Sequence, residues 1–336
     1  MPRRSRSSET KETIGLTAAK ATINKYFTKE KIHRFIFGTR EKQGAGKQLV
    51  IYGLLICIGF IYLYPLLSMV STSFMNRDDL LDSSVKWLPS TLYLQNYAAA
   101  GKSMDFWISL LKGIVIAGLP TLCNVAICMM VGYGFATFNF KGKTIMMGVL
   151  LLSYILPSQV TMIPTYVLYN NLKIVGSPLA FVLPAILGNG LNAPIFILIF
   201  YQFFRQVPRV LLEAAKIDGA GHIESFIKVG IPSAGPAILT VFLFSFVWYW
   251  NESYLTEMYV RGLSNSGIWT NLVIQLKNFE TNFNTMSSTS GDMGVNLSES
   301  VRMAAVSLSI IPLMLMYLVL QKHFVESIDR SGITGE

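Results

Sequence analysis

Two short polar clusters interrupt an otherwise apolar chain. The stretch LGNGLNAP at 187–194 sets Asn189 and Asn192 on either side of Gly190. The stretch FVWYWNESY at 246–254 gathers Trp248, Tyr249, Trp250, Asn251, Glu252 and Tyr254. Amides and phenols offer uncharged donors and acceptors, and aromatic rings offer flat apolar faces. Together they suit the hydroxyls and C–H faces of a neutral, sugar-like solute, which makes these residues the candidate binding positions. Asn124 and Gln159 are weaker candidates of the same chemistry. Two plainer roles compete with this one. Trp and Tyr near the end of an apolar segment form interfacial belts, and buried asparagines bond one membrane helix to another.

Catalytic groupings do not accompany these clusters. The three cysteines, Cys57, Cys123 and Cys128, have no metal-ligand spacing and read as small core residues. No metal site and no catalytic residue is expected. The nearest approach to a phosphate loop, GAGKQ at 44–48, lacks the earlier glycine and carries Gln where Ser or Thr would bind magnesium. Ion-coupled transport is also poorly supported. His33, His222 and His323 fall outside the apolar segments, and the runs 145–168 and 179–203 contain no Asp, Glu, Lys, Arg or His. If such a chain moves solute uphill, the energy must come from another protein.

The elements that would position these clusters follow from composition. Hydrophobic residues make up 52% of the 336 and charged residues 14%, against about 25% charged in soluble domains. A lipid bilayer is the natural solvent for such a chain. Six apolar runs are long enough to span one: 49–71, 107–135, 145–168, 179–203, 234–255 and 303–320. Gly118, Pro120, Pro157 and Pro164 are expected to break the second and third. The predicted fold is all-α, a polytopic membrane protein with six transmembrane helices.

Charge sets its orientation. With both termini cytoplasmic, the inside segments hold 20 of the 28 Lys and Arg, the distribution of the positive-inside rule. The net charge of +9 therefore reports topology and not nucleic-acid binding. The first apolar run begins too late for a cleavable signal peptide. Residues 1–48 read as a basic cytoplasmic segment with a candidate surface helix around 18–37, a solvated and partly disordered tail near anionic headgroups in preference to a regulatory module. Residues 49–322 form the membrane domain and 323–336 a cytoplasmic tail. Within the domain, 205–233 is a cytoplasmic loop. The outside loop 256–300 reads as a polar linker, unless it receives solute from a docked partner.

The cytoplasmic loop is too elaborate for a plain connection. Pro208 suits a helix start, and 209–218 reads as a short helix with Leu211, Ala214, Ala215 and Asp218 on one face. The two alanines permit close approach of another surface, and Glu213 adds a charge beside them. Gly219 and Gly221 end the helix where positive φ is needed. A second helix at 222–229 carries Ile223, Phe226 and Ile227 on its apolar side, before Gly230 and Pro232 turn the chain into the fifth span.

The run EAAKIDGAGHIESFIKVGIP at 213–232 resembles the EAA loop of ABC importer permeases. Glu213, Ala214, Ala215, Gly219 and Pro232 fill the fixed positions, with Val229 and Ile231 in the aliphatic slots. The upstream FFRQVPRVLLEAAKIDGAG, and the fragments YPLLSMVSTSF, WLPSTLYLQNY and LVLQKHFVESI, look like carbohydrate permeases of the maltose-transporter type. The resemblance implies a permease subunit for an oligosaccharide in a prokaryotic inner membrane. It implies a coupling helix at the loop, with Glu213, Ala214, Ala215, Asp218, Gly219 and Gly221 as its ATPase-facing positions. It also implies partners: a second homologous permease, two copies of a cytoplasmic ABC ATPase holding ATP and magnesium, and an extracellular or periplasmic solute-binding protein. This chain itself would need no cofactor and hydrolyse nothing. The alternatives are an importer for a different solute class and a membrane scaffold for an ATPase that passes no solute.

Overall fold

The structure is a computed structural model, and it describes residues 45–82, 87–261, 268–290 and 297–333. Among the described residues there is no strand, as expected where a lipid-facing chain must pair its backbone groups within each segment. The chain divides at Ser68 into two compact units. In the first, the described residues belong to α1 (Ala45–Ser73). Its apolar side chains are exposed and Cys57 is exposed with them, so this thiol is not the core residue expected. Residues 45–48 of the GAGKQ stretch open this helix, and the rest of the basic segment, with the helix expected around 18–37, lies outside the described residues.

In the second unit, α2 (Arg77–Leu81) and α3 (Gln95–Ser103) lead into the long α4 (Phe106–Thr137). Then come α5 (Lys143–Ile155), α6 (Ser158–Asn171), α7 (Leu179–Ile186), α8 (Ala193–Gln206) and α9 (Arg209–Ile217). A bent helical run follows: α10 (His222–Ser225), a π segment Phe226–Gly230, α11 (Ile231–Ser233) and α12 (Gly235–Asn251). A second π segment, Thr256–Arg261, precedes α13 (Leu272–Lys277), α14 (Phe279–Ser290) and α15 (Glu299–Ile333).

Helix α4 is the spine, packed most extensively against α8 and α12. Its contact with α8 needs a residue without a side chain. A Cβ on Gly132 would lie 2.5 Å from Phe200 Cβ and 3.0 Å from the Ile197 carbonyl oxygen. Two apolar clusters lie along α4. One contains Ile116 and Ala117 with Tyr249, Trp250 and Leu272; the other contains Cys128 and Met129 with Phe196, Phe200 and Val241. Between them along α4 sit Thr121 and Asn124, both fully buried.

Among the described residues, three helices are long and apolar enough to cross a membrane: Gly46–Ser73, Phe106–Thr137 and Glu299–Lys322. Three bent pairs raise the number to as many as six. The breaks differ from those expected. Gly118 and Pro120 do not interrupt α4, where Pro120 is buried and the neighbouring helices pack against the segment. Pro164 likewise sits inside α6. Pro157 does break its segment, with a 96° bend between α5 and α6. The run 179–203, expected as one span, is two helices separated at 187–192. Gly188 (φ +77°) ends α7, with the Asn189 N–H donating to the Pro184 carbonyl at 2.8 Å.

The segment 256–300 is more than a linker. Leu272, Ile274, Phe279 and Phe283 are buried, and α13 packs on α4 and α15 while α14 packs on α3. Polar composition hid this because a few apolar residues at helical spacing suffice to dock a short helix. Glu257 pairs with Lys277 and Arg261, and Arg302 with Glu280 at 2.9 Å.

Candidate functional site

The break at 187–192 exposes backbone groups that apolar surroundings cannot satisfy. Two polar side chains from two other helices satisfy those of Leu191. The Leu191 N–H donates to the Tyr249 hydroxyl at 3.0 Å, and the Leu191 carbonyl accepts from Asn124 Nδ2 at 3.1 Å. Asn124 Nδ2 also reaches Ser245 Oγ at 3.3 Å, while its Oδ1 accepts from Cys128 Sγ at 3.2 Å. The neighbouring Gly190 must be glycine: a Cβ there would fall 2.7 Å from Asn124 Oδ1 and 2.9 Å from the Tyr249 hydroxyl. Asn124 on α4 and Tyr249 on α12 therefore clamp the broken segment from both sides.

Beside this clamp lies a cavity of about 480 Å³. The second break, at Pro157, borders it too, so both interrupted segments meet one space. Its hydroxyl-bearing residues include Tyr154, Thr161, Thr165, Tyr169, Tyr249 and Tyr259. Gln159, Asn189 and Asn192 add amides, and Phe181 and Trp248 add ring faces. Among the described residues lining it, Glu252 alone is charged. Its Oε1 accepts the Leu255 N–H at 2.9 Å. Tyr259 closes one side, donating to the Met162 carbonyl at 2.9 Å and meeting the Tyr169 ring edge-on at 5.2 Å. Burial pushes the Tyr259 phenol above its ordinary range, so it stays a neutral donor at physiological pH. Neutral donors, acceptors and rings of this kind can bind and orient a polyol.

The structure sorts the expected site residues by helical phase. Asn189, Asn192, Trp248, Tyr249 and Glu252 line the cavity, as does Gln159. Trp250, Asn251 and Tyr254 do not. Trp250 is buried on another side of α12, stacked on Phe246 at 5.7 Å and set close to Gly113. Asn251 and Tyr254 are exposed elsewhere. The sequence reading missed the tyrosines and threonines of α5, α6 and the second π segment. Thr161, Thr165 and Tyr169 recur every four residues along α6, a polar stripe that helical spacing makes visible in retrospect.

Residues 208–233 fold as a helical hairpin. Gly219 takes φ +85° and ends α9, with the Ala220 N–H donating to the Ala215 carbonyl at 2.9 Å. Gly221 differs from expectation. Its φ is −68°, and it opens α10, its carbonyl accepting the Ser225 N–H at 2.8 Å. Of the three apolar residues of the second helix, only Phe226 turns inward. Ile223 and Ile227 stay exposed, and with His222, Glu224 and Lys228 they border an open recess. Glu213, Ala214 and Asp218 are exposed and Ala215 is half-buried.

Aromatic contacts tie this hairpin to the spine. The Tyr133 ring on α4 lies 4.9 Å from Phe226 and 5.2 Å from Phe204 of α8. Phe138 meets His222 at 5.1 Å, and a Cβ on Gly230 would be 3.2 Å from both Phe226 and Tyr133. The exposed Glu224 hydrogen-bonds Lys228, which holds the carboxyl below and the ammonium above their usual ranges.

Residues 127–330 match the family described as binding-protein-dependent transport system inner membrane component. The polygalacturonan/rhamnogalacturonan transport system permease protein YtcP of Bacillus subtilis is 26% identical, over 85% of this chain and 98% of its own. The osmoprotective compounds uptake permease protein GgtD of Synechocystis is 29% identical over 88% and 95%. A chain of a bacterial ABC transporter that imports the acidic polysaccharide alginate matches in fold, with a TM-score of 0.66 and 22% identity, covering 82% of this chain and 96% of that one.

Proposed function

The chain belongs to the binding-protein-dependent transport system inner membrane components, and from that premise we propose that it forms half of the translocation pathway of an ABC importer for an oligosaccharide. The observation that carries this reading is the cavity where two broken segments meet, furnished with hydroxyls, amides and aromatic faces. Discontinuous membrane helices are tolerated where they line such a space. The YtcP name supports a carbohydrate as solute.

The hairpin at 208–233 is the coupling element. Its exposed surface around Glu213, Ala214 and Ile223 meets a cytoplasmic ATPase, and Tyr133, Phe204 and Phe226 pass that motion to α4 and α8. ATP and magnesium belong to two copies of that partner, and this chain hydrolyses nothing. A second, homologous permease completes the pathway, and a solute-binding protein delivers the sugar from outside. Both termini are cytoplasmic, with six spans between them.

Reconstitution of the full complex in liposomes tests this. Internal ATP is expected to drive uptake of an oligosaccharide presented by the cognate binding protein. ATP hydrolysis without uptake of any solute would favour a scaffold. Uptake of small osmoprotectants instead of oligosaccharides would favour the solute class in the GgtD name.

A further inference from the structure

We infer that the cavity at the two helix breaks selects uncharged glycans and rejects anionic ones, with Glu252 as the discriminating residue. This rests on the reading of the cavity as part of the sugar path. The charge balance of the site supports it. Glu252 is the one charged side chain among the described residues lining the cavity, and no described cation lies within ion-pair distance of it. Its carboxylate spends one oxygen on the Leu255 N–H. A carboxylate has about four acceptor sites, so most of its capacity remains for hydroxyl donors.

The helix ends do not offset that charge. A helix start carries roughly half a positive charge and a helix end half a negative one. Each break sets an end against a start: α5 against α6 at Pro157, and α7 against α8 at 187–192. The partial charges therefore oppose one another at each break. The start of α8 is also a poor anion site, despite its position. The Ala193 N–H donates to the Gly190 carbonyl, Pro194 has no N–H, and the Ile195 and Phe196 N–H groups donate to the Asn192 carbonyl. The described lining is left with one carboxylate and no cation, so a second carboxylate meets uncompensated repulsion there.

The hydroxyls and rings explain what is accepted. A neutral pyranose can donate to Glu252, exchange hydrogen bonds with Gln159 and Asn192, and place a C–H face on Trp248. A uronate of the same size brings a carboxylate for which the described lining offers no cationic partner.

Equilibrium dialysis of the purified full transporter, without its binding protein, against radiolabelled maltotriose, xylotriose and trigalacturonate tests the inference. The expected result is retention of at least one neutral trisaccharide, with trigalacturonate weaker by about tenfold or more. Glu252→Gln is expected to shrink that gap, and Glu280→Gln, in the Arg302 ion pair, to leave it unchanged. The inference is overturned if trigalacturonate binds as tightly as the neutral sugars, or if Glu252→Gln leaves the gap intact. It is also overturned if none of the three is retained by a complex that carries out ATP-driven sugar uptake. A complex that assembles and hydrolyses ATP but takes up no solute sinks the permease reading itself.

Discussion

The Tyr249 hydroxyl accepts the backbone N–H of Leu191 at 3.0 Å, across 58 residues of chain. One phenol thereby holds the interrupted segment at 187–192 in place while also facing the cavity that segment borders. Cavity lining and scaffold share the same residue.

Removing that oxygen separates the two roles poorly but measurably. Tyr249→Phe leaves a buried donor without its acceptor, a loss of about 1–3 kcal/mol. Thermal unfolding of the purified complex is expected to move down. Asn124→Leu, which orphans the Leu191 carbonyl, is expected to do the same. Because both side chains grip one residue, the double variant is expected to lose less than the sum of the two.

Gly132 sets the distance between α4 and α8. A side chain there collides with Phe200 Cβ and with α8 backbone, so Gly132→Ala is expected to cost about 1–3 kcal/mol through forced repacking. Gly134→Ala, with open space at its Cβ, is the matched control and is expected to be neutral or slightly stabilising. Denaturation midpoints of the two variants check this.

The hairpin prediction concerns coupling. Gly219→Pro forces a φ near −65° where the chain has +85°, and Ala215→Glu adds a charge to the half-buried face of α9. Both variants are expected to insert in the membrane, lose co-purification with the ATPase and lose uptake. Normal uptake by either would count heavily against the coupling role.

Tyr133→Ala cuts the aromatic link from Phe226 to Phe204. ATPase association is expected to survive, since the hairpin's exposed residues are untouched, while uptake per ATP hydrolysed falls several-fold. Paired ATPase and uptake assays in proteoliposomes check it. Equal losses in both assays would mean that the ring only stabilises the fold.

The Glu224–Lys228 pair adds a pH expectation. The carboxyl pKa is lowered, so its contribution exists above the unfolded pKa and is lost as pH falls through the folded one. The ammonium pKa is raised, so its contribution is lost only as pH climbs through a value above the usual lysine range. Both groups stay charged between about pH 5 and 9. Uptake by Lys228→Met is expected to show the same pH profile as the native protein across that window, since the pair is fully exposed and does not titrate there.

Much of this protein was legible as sequence, for local reasons. Apolar runs of the right length mark helices because lipid forces each to satisfy its own backbone. The end of α9 was legible at Gly219 because only glycine takes positive φ freely, and the alanines at 214 and 215 with their fixed neighbours identify the hairpin. The string Trp248–Tyr249–Trp250 was less transparent. Successive helical residues point about 100° apart, so Trp248, Tyr249 and Glu252 share the cavity while Trp250 enters a different cluster.

Tertiary structure alone decided the rest. Whether Pro120 or Gly188 breaks a helix depends on what packs around each, and Pro120 is held within a buried spine while 187–192 is caught between Asn124 and Tyr249. The cavity assembles side chains from five stretches spread between residues 153 and 259. No local rule links them, because their meeting depends on how closely α4, α8 and α12 pack. The sequence determined which segments are helical and which positions are polar. Packing determined which of those polar groups face one another.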